Sequence, residues 1–191
     1  MKPLILASES PRRRELLTKA GYNFDVFSVK VSECPNKNLN ADEQILDIAR
    51  RKSRVALQEL HSQNKQNFIL ITADTEVIFK GQPLGKPQDE QDAFRILKLL
   101  SGTTHQVITA ICIVDGSTQK ELSQYETTDI HFRNLSDQEI WEYIHTGEPM
   151  DKAGAYGIQG LGGKLVERYE GDFDNVVGLP IRLLQEMLKS F

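Results

Sequence analysis

The sequence predicts an α/β protein with a mixed, twisted sheet flanked by helices, and three observations carry that reading. Apolar runs at Leu4–Ala7, Phe24–Val29 and Phe68–Ala73 alternate with helical patterns, the signature of strands separated by crossover helices. Two longer strand patterns, Val107–Val114 and Lys120–Phe132, meet at an Asp115-Gly116 turn and are most simply an antiparallel pair, so the sheet is not purely parallel. Finally, 191 residues with 39% hydrophobic and 26% charged content suit one ordinary domain, or one domain of two lobes. Residues 1–191 are therefore read as a single domain, with a ligand cleft expected between the two halves of its sheet.

Each element has its own local reason. Leu4–Ala7 is a short buried strand, Ser8-Glu9-Ser10 a turn, and Ser10 followed by Pro11 a capped helix start running to Ala20 before the Gly21 stop. After a polar loop at Lys30–Asn40, Asn40 with Glu43 reads as a capping box opening a helix to about Leu60. Phe68–Ala73 is a continuous apolar strand, resumed by Val77–Phe79 beyond a polar interruption, with Lys80-Gly81-Gln82 as a turn. Asp89–Leu100 has helical periodicity and stops at Ser101-Gly102. Ser136 with Glu139 is a second capping box, opening a helix to Thr146. A glycine-rich loop, a strand near Lys164–Tyr169 and a helix from Pro180 to about Lys189 close the chain.

Composition excludes several classes. A net charge of −4 argues against a general nucleic-acid or anionic-membrane binder, which meets phosphates with excess Lys and Arg. Cys34 and Cys112 have no metal-ligand or disulfide-framework spacing. The four-residue apolar stretch at the N-terminus is too short for a signal peptide, and no run approaches membrane-spanning length. The chain reads as cytoplasmic.

The most informative stretch is Arg12-Arg13-Arg14, placed in the first turn of a helix, where the dipole disfavours cations. Free N–H groups there already suit an anion, and added arginines make a site for something with several negative charges. Arg12 and Arg13 are the candidates, and Arg14 is read as solvated. The alternative is a basic turn neutralised by nearby acids. Asp74, at the carboxyl end of the Phe68–Ala73 strand, is the candidate to hold a metal or activate a water. Glu76 falls on the same face if the strand stays extended, giving two oxygen donors for Mg²⁺ or Mn²⁺; the alternative is a turn aspartate beside a solvated glutamate. Lys52 occupies the apolar stripe Ile45, Ile48, Ala49, Val55 and Ala56, so it either snorkels or meets a buried anion. Arg50, Arg51 and Arg54 lie off that stripe and read as solvated. Lys86 sits in a turn stiffened by Pro87. Six of the chain's 13 glycines lie between Gly147 and Gly163, a density that suits a backbone approaching a ligand closely, and Gln159 among them can pair with a base edge. Asp151 and Lys152 can equally form a structural pair. The four histidines show no ligand spacing and read as surface or structural residues, and Trp141 and Tyr143 read as packing residues of their helix.

Taken together these residues resemble the Maf family of nucleoside triphosphate pyrophosphatases, related in fold to the inosine triphosphate pyrophosphatases. The motifs are Leu6-Ala-Ser-x-Ser-Pro-Arg-Arg, Ala49-x-x-Lys52, Ala73-Asp-Thr, Gly85-Lys-Pro, Leu100-Ser-Gly-x-Thr-His, the Thr146–Gly160 run and Asn175-Val-Val-Gly-Leu-Pro. The resemblance implies hydrolysis between the α- and β-phosphates with a divalent metal, Mg²⁺ or Mn²⁺, releasing a nucleoside monophosphate and pyrophosphate. It implies Asp74 as proton acceptor and Ser8, Arg12, Arg13, Lys52 and Lys86 as phosphate-handling residues. Arg12, Thr75 and Gln159 match positions marking the subgroup that acts on dTTP and UTP. It also implies a link to septum formation and to clearing non-standard nucleotides, and dimers are common in that family. Two departures stand out: Glu76 replaces a usually apolar residue, and the acidic pair expected after the second strand is reduced to Glu33, which with Asp74 and Glu76 is taken as the metal set. The rival readings are a sensor of division that binds dTTP without cleaving it, an RNA binder using the arginine clusters, and a phosphatase or kinase.

Overall fold

The computed structural model describes residues 2–34, 36 and 38–191. Strand β1 (Leu4–Ala7) is the middle of a parallel trio, its Leu4 level with Phe24 of β2 (Phe24–Phe27) and with Ile69 of β3 (Ile69–Phe79). All four residues of β1 are buried, as a strand between two neighbours must be. β3 is one strand, not two. The polar Asp74-Thr75-Glu76 stretch keeps extended geometry, and the apolar Val77–Phe79 segment beyond it is buried again.

Six of the sheet's seven strands run in the order β2-β1-β3-β5-β6-β7, where β5 is Thr104–Asp115, β6 is Glu121–Phe132 and β7 is Val166–Glu170. β6 and β7 are antiparallel, with Ile130 opposite Tyr169, so the expected mixture of parallel and antiparallel pairing is present. A short strand the sequence reading did not separate, β4 (Gln82–Pro83), folds back on β3 through Lys80 and Gly81. Both turn residues have positive φ, +51° and +75°, as a two-residue hairpin of this hand requires.

The helices start where their caps place them. Helix α1 (Pro11–Lys19) is capped by Ser10, and both expected capping boxes form, at Asn40 for α2 (Ala41–Ser62) and at Ser136 for α4 (Asp137–Ile144). Asp89 caps α3 (Glu90–Leu100), and α6 (Ile181–Leu188) begins after Pro180. Helix α5 (Phe173–Val177) was not expected; its five residues are too few to show a period. Among the described residues no helix is long and apolar enough to cross a membrane.

The chain forms two compact units, in keeping with the two-lobe reading: Met1–Asp74 with Thr109–Glu126 and Gly178–Phe191, and Thr75–Ile108 with Thr127–Val177. The first has its core in Leu6, Leu17, Ile45, Leu60, Ile71 and Ile111. The second packs Val77, Ile96, Leu100, Ile130, Ile140 and Tyr156 into one cluster.

Candidate active site

In the first unit, a buried hydroxyl sets helix against strand. Thr72 on β3 donates to the Ala49 carbonyl of α2 at 2.9 Å. Lys52 is one helical turn past Ala49 and Asp74 two residues past Thr72, so both side chains reach the same spot. Lys52 Nζ lies 2.7 Å from Asp74 Oδ1 and 2.6 Å from Glu33 Oε1. Lysine and aspartate side chains are only 12% and 11% exposed, against 54% for Glu33. The lysine on the apolar stripe therefore meets an anion, and the snorkelling alternative is set aside.

Helix α1 adds its arginine to the same field. Arg13 donates from Nε to the Gly178 carbonyl at 2.8 Å and from Nη1 to Ser8 Oγ at 3.4 Å. Burial lowers the Arg13 pKa, while the charges of Asp74 and then Glu33 raise it and that of Arg12 lowers it again. Ser8 is itself buried and also accepts the Ser10 amide at 3.2 Å. Arg12 is half-buried and Arg14 exposed, as their positions on the helix suggest. The first turn of α1 contains no acidic residue. Lys52, Asp74 and Glu33 thus form one cluster, and Arg13, hydrogen-bonded to Ser8, lies within the field of its two carboxylates.

The second unit carries Thr75, Glu76, Lys86 and Gln159. Glu76 accepts the Gly85 amide at 2.9 Å, and the Gly85 carbonyl accepts the Gly154 amide at 2.8 Å, tying the Lys86 turn to β3 and to the glycine-rich loop. Lys86 and Gln159 are exposed and Thr75 is half-buried. Glu76 is therefore not simply a solvated residue.

Several of the glycines also have an internal reason. Glu148 accepts hydrogen bonds from Tyr143 Oη at 2.9 Å, Leu161 N at 2.9 Å and Gly162 N at 3.0 Å. The loop folds around this carboxylate so tightly that a Cβ at Gly160 would collide with it, and one at Gly162 would stand 2.5 Å from Tyr143 Oη. Gly160 and Gly162 are thus required by the loop's own packing. Burial alone would raise the Glu148 pKa, but the Gly162 and Leu161 amides and the Tyr143 hydroxyl outweigh it and hold it below the ordinary value. Asp151 and Lys152 form the structural pair at 2.7 Å, and Lys152 also donates to the Glu148 carbonyl. A hollow of about 340 Å³ in this unit, lined in part by Ile158, Val166, Tyr169 and Phe173, includes none of the expected site residues.

Sequence reading missed Arg51 and Glu148. Arg51 is not merely solvated: it pairs with Asp47 at 2.9 Å and donates to the Ser32 and Cys34 carbonyls. The i,i+4 spacing of Asp47 and Arg51 was the available signal. For Glu148 it was the ring of glycines.

Among the described residues, no group of three or more His, Cys, Asp or Glu side chains is placed to hold a metal ion. Glu33 and Asp74 nevertheless converge on one cationic atom, the Lys52 ammonium, with oxygen donors of the kind a hard divalent ion takes. Two carboxylates suffice where substrate phosphates and waters complete the shell, so the residues present fit such an ion.

Asp74 lies in the middle of β3, not at a strand's end as the apolar run suggested, because the strand continues to Phe79. An α/β scaffold that sets half-buried cations around a buried mid-strand carboxylate is suited to handling a polyanion. The chain belongs to the Maf family: the family described as "Maf-like protein" matches residues 3–191. The dTTP/UTP pyrophosphatase of Bdellovibrio bacteriovorus is 67% identical over 192 residues, covering 100% of both chains. Those of Alkaliphilus oremlandii and Caldicellulosiruptor bescii are 47% and 44% identical, covering 100% of this chain and 96% and 95% of theirs. Among solved structures, the Staphylococcus aureus Ham1 protein aligns with a TM-score of 0.49 and 17% identity over 99% of each chain.

Proposed function

We propose that the protein hydrolyses dTTP and UTP between the α- and β-phosphates, releasing the monophosphate and pyrophosphate. The observation that carries this reading is the meeting of Glu33 and Asp74 on Lys52, with Arg13 in the same field. The full-length likeness to relatives named dTTP/UTP pyrophosphatase supports the substrate pair. Asp74 is the proposed proton acceptor. Lys52 fixes its Oδ1, and Oδ2 takes a proton from the attacking water. As the water oxygen bonds to the α-phosphorus in line, the bond from that phosphorus to the bridging oxygen breaks and pyrophosphate leaves. Ser8, Arg12, Arg13, Lys52 and Lys86 are assigned to the phosphates, where fixed cations stabilise charge developing on the leaving group. Thr75 and Gln159, with Arg12, are assigned to selection of the nucleotide.

A divalent cation, Mg²⁺ or Mn²⁺, held by Asp74 and Glu33 would supply Lewis-acid polarisation of the phosphate oxygens. Glu76, one oxygen of which takes the Gly85 amide, is assigned to ordering the Lys86 turn and not to the metal. The proposed setting is the cytoplasm and nucleotide-pool cleansing, with the septum-formation link carried by family resemblance; residues 1–191 act as one domain, and a second copy is the candidate protein partner.

A panel of nucleoside triphosphates with Mg²⁺ or Mn²⁺, with products identified, tests the reading. Asp74→Asn should still bind dTTP but lose about 10²–10⁴-fold in turnover, the usual cost of a general base. Inorganic phosphate or ADP as product would favour a phosphatase or kinase instead. Near-normal pyrophosphate release by Asp74→Asn would remove Asp74 from the mechanism.

A further inference from the structure

We infer that Arg51 is a positioning residue that acts through Glu33, an inference that rests on the role proposed above for the Glu33, Lys52 and Asp74 cluster. Glu33 lies between β2 and α2 in a stretch, residues 28–34, that contains neither helix nor strand. No ladder fixes its backbone there. Its side chain is more than half exposed, so burial does not fix it either. The Arg51 guanidinium does what the ladder does not: Nη1 donates to the Ser32 carbonyl at 2.6 Å and Nη2 to the Cys34 carbonyl at 2.9 Å. These are the carbonyls on either side of Glu33. The third nitrogen, Nε, donates to Asp47 Oδ2 at 2.9 Å, which holds the fork on α2.

Two successive residues of one helix therefore grip one loop residue by different parts. Arg51 takes its flanking backbone, and Lys52 takes its carboxylate at 2.6 Å. The planar fork matters because a lysine ammonium, a point charge on a flexible stem, does not hold two carbonyls in fixed register. Without the fork the loop is free to turn Glu33 away from Lys52 and Asp74, and the cluster loses one of its two carboxylates.

The test combines a double-mutant cycle with a measurement that does not depend on turnover. Pyrophosphate release from dTTP is compared for wild type, Arg51→Ala, Arg51→Lys, Glu33→Gln and Arg51→Ala with Glu33→Gln. Amide hydrogen exchange of residues 28–34 is followed in the same proteins. Arg51→Ala should lower kcat/KM by about 10–100-fold, the range seen when an outer-shell partner of a site residue is lost. Arg51→Lys should fail to rescue it. In the Glu33→Gln background the Arg51 penalty should vanish, since the two residues act as one unit. Amides of 28–34 should exchange faster once Arg51 is gone. A penalty that persists in full beside Glu33→Gln, or exchange left unchanged, overturns the role of Arg51. Failure of the unaltered protein to release pyrophosphate from any nucleotide overturns the proposed function itself, a separate outcome, and the exchange measurement then still decides whether Arg51 holds this loop.

Discussion

Lys52 Nζ stands 2.7 Å from Asp74 Oδ1, and its other partner, Glu33 Oε1, is at 2.6 Å, so a single ammonium joins a helix, the middle of a strand and a loop. Replacing it with methionine keeps the stem's apolar contacts but removes the ammonium from both carboxylates. Breaking a buried pair by removing one partner costs roughly 3–5 kcal/mol, and the 11% exposure of the Asp74 side chain brings that contact close to this regime. The Glu33 contact, open to solvent, adds little. Lys52→Met should therefore lower the urea midpoint markedly and abolish most turnover together. A variant with normal stability and normal turnover would mean that the ammonium is dispensable to both.

The Glu148 carboxylate gathers a loop that Gln159 rides on. Oε1 receives Tyr143 Oη and the Gly162 amide, while Oε2 receives the Leu161 amide. A glutamine there can satisfy only the first pair, since its amide group would face the Leu161 N–H donor to donor. Glu148→Gln should cost about 1 kcal/mol, the net worth of one hydrogen bond, since the Leu161 contact is exposed and water can replace it. It should also blunt preference among the nucleotides, because the loop would no longer hold Gln159 in one place. Gln159→Ala should separate the effects, since that side chain is exposed: selectivity should fall while the thermal midpoint stays within a degree or so. Unchanged selectivity in both variants across dTTP, UTP and the other common triphosphates would remove the loop from base recognition.

Helix starts were legible because caps are local: Ser10, Asn40 and Ser136 each bond an amide three residues on, a relation the sequence displays directly. Lys52 was legible for a similar reason, as a charge interrupting an apolar stripe. What pattern could not supply was the tertiary partner. Whether Lys52 snorkels or pairs depends on Thr72 setting α2 against β3, a contact between residues 23 apart in the chain. Arg51 looked solvated because its targets are backbone carbonyls, which every residue has and no sequence marks. The glycine-rich loop was legible only in part. Glycines report only that something comes close, and here much of what comes close is the loop's own Glu148 and Tyr143. β3 was read as interrupted because polarity at Asp74–Glu76 breaks the apolar run, yet extended backbone needs no apolar side chains once neighbouring strands supply its hydrogen bonds.

His105 makes the acid side of the stability curve testable. Its ring is buried, with Nε2 hydrogen-bonded to Tyr156 Oη at 2.8 Å and the Phe132 ring edge-on at 4.9 Å; among the described residues Nδ1 has no partner. Burial, reinforced by the nearby His131 charge, pushes its pKa down from 6.5 to about 3. Between those values the unfolded chain binds a proton that the native protein refuses, so stability falls as the pH falls from about 6.5, and above that the contribution is constant. The slope approaches about 1.4 kcal/mol per pH unit for one such group. Carboxylates act lower: Asp115, held near 2 chiefly by its Lys2 hydrogen bond, gives up its contribution only as the pH drops from 3.8 through about 2. The lowered glutamates Glu139 and Glu148 begin to lose theirs near their ordinary value of 4.5, so urea unfolding between pH 7.5 and 5.5 is the window in which the histidine dominates over these carboxylates. His105→Gln, which keeps a hydrogen-bonding group near Tyr156 but does not titrate, should flatten the curve across that window. Parallel curves for the two proteins would assign the acid sensitivity to other groups.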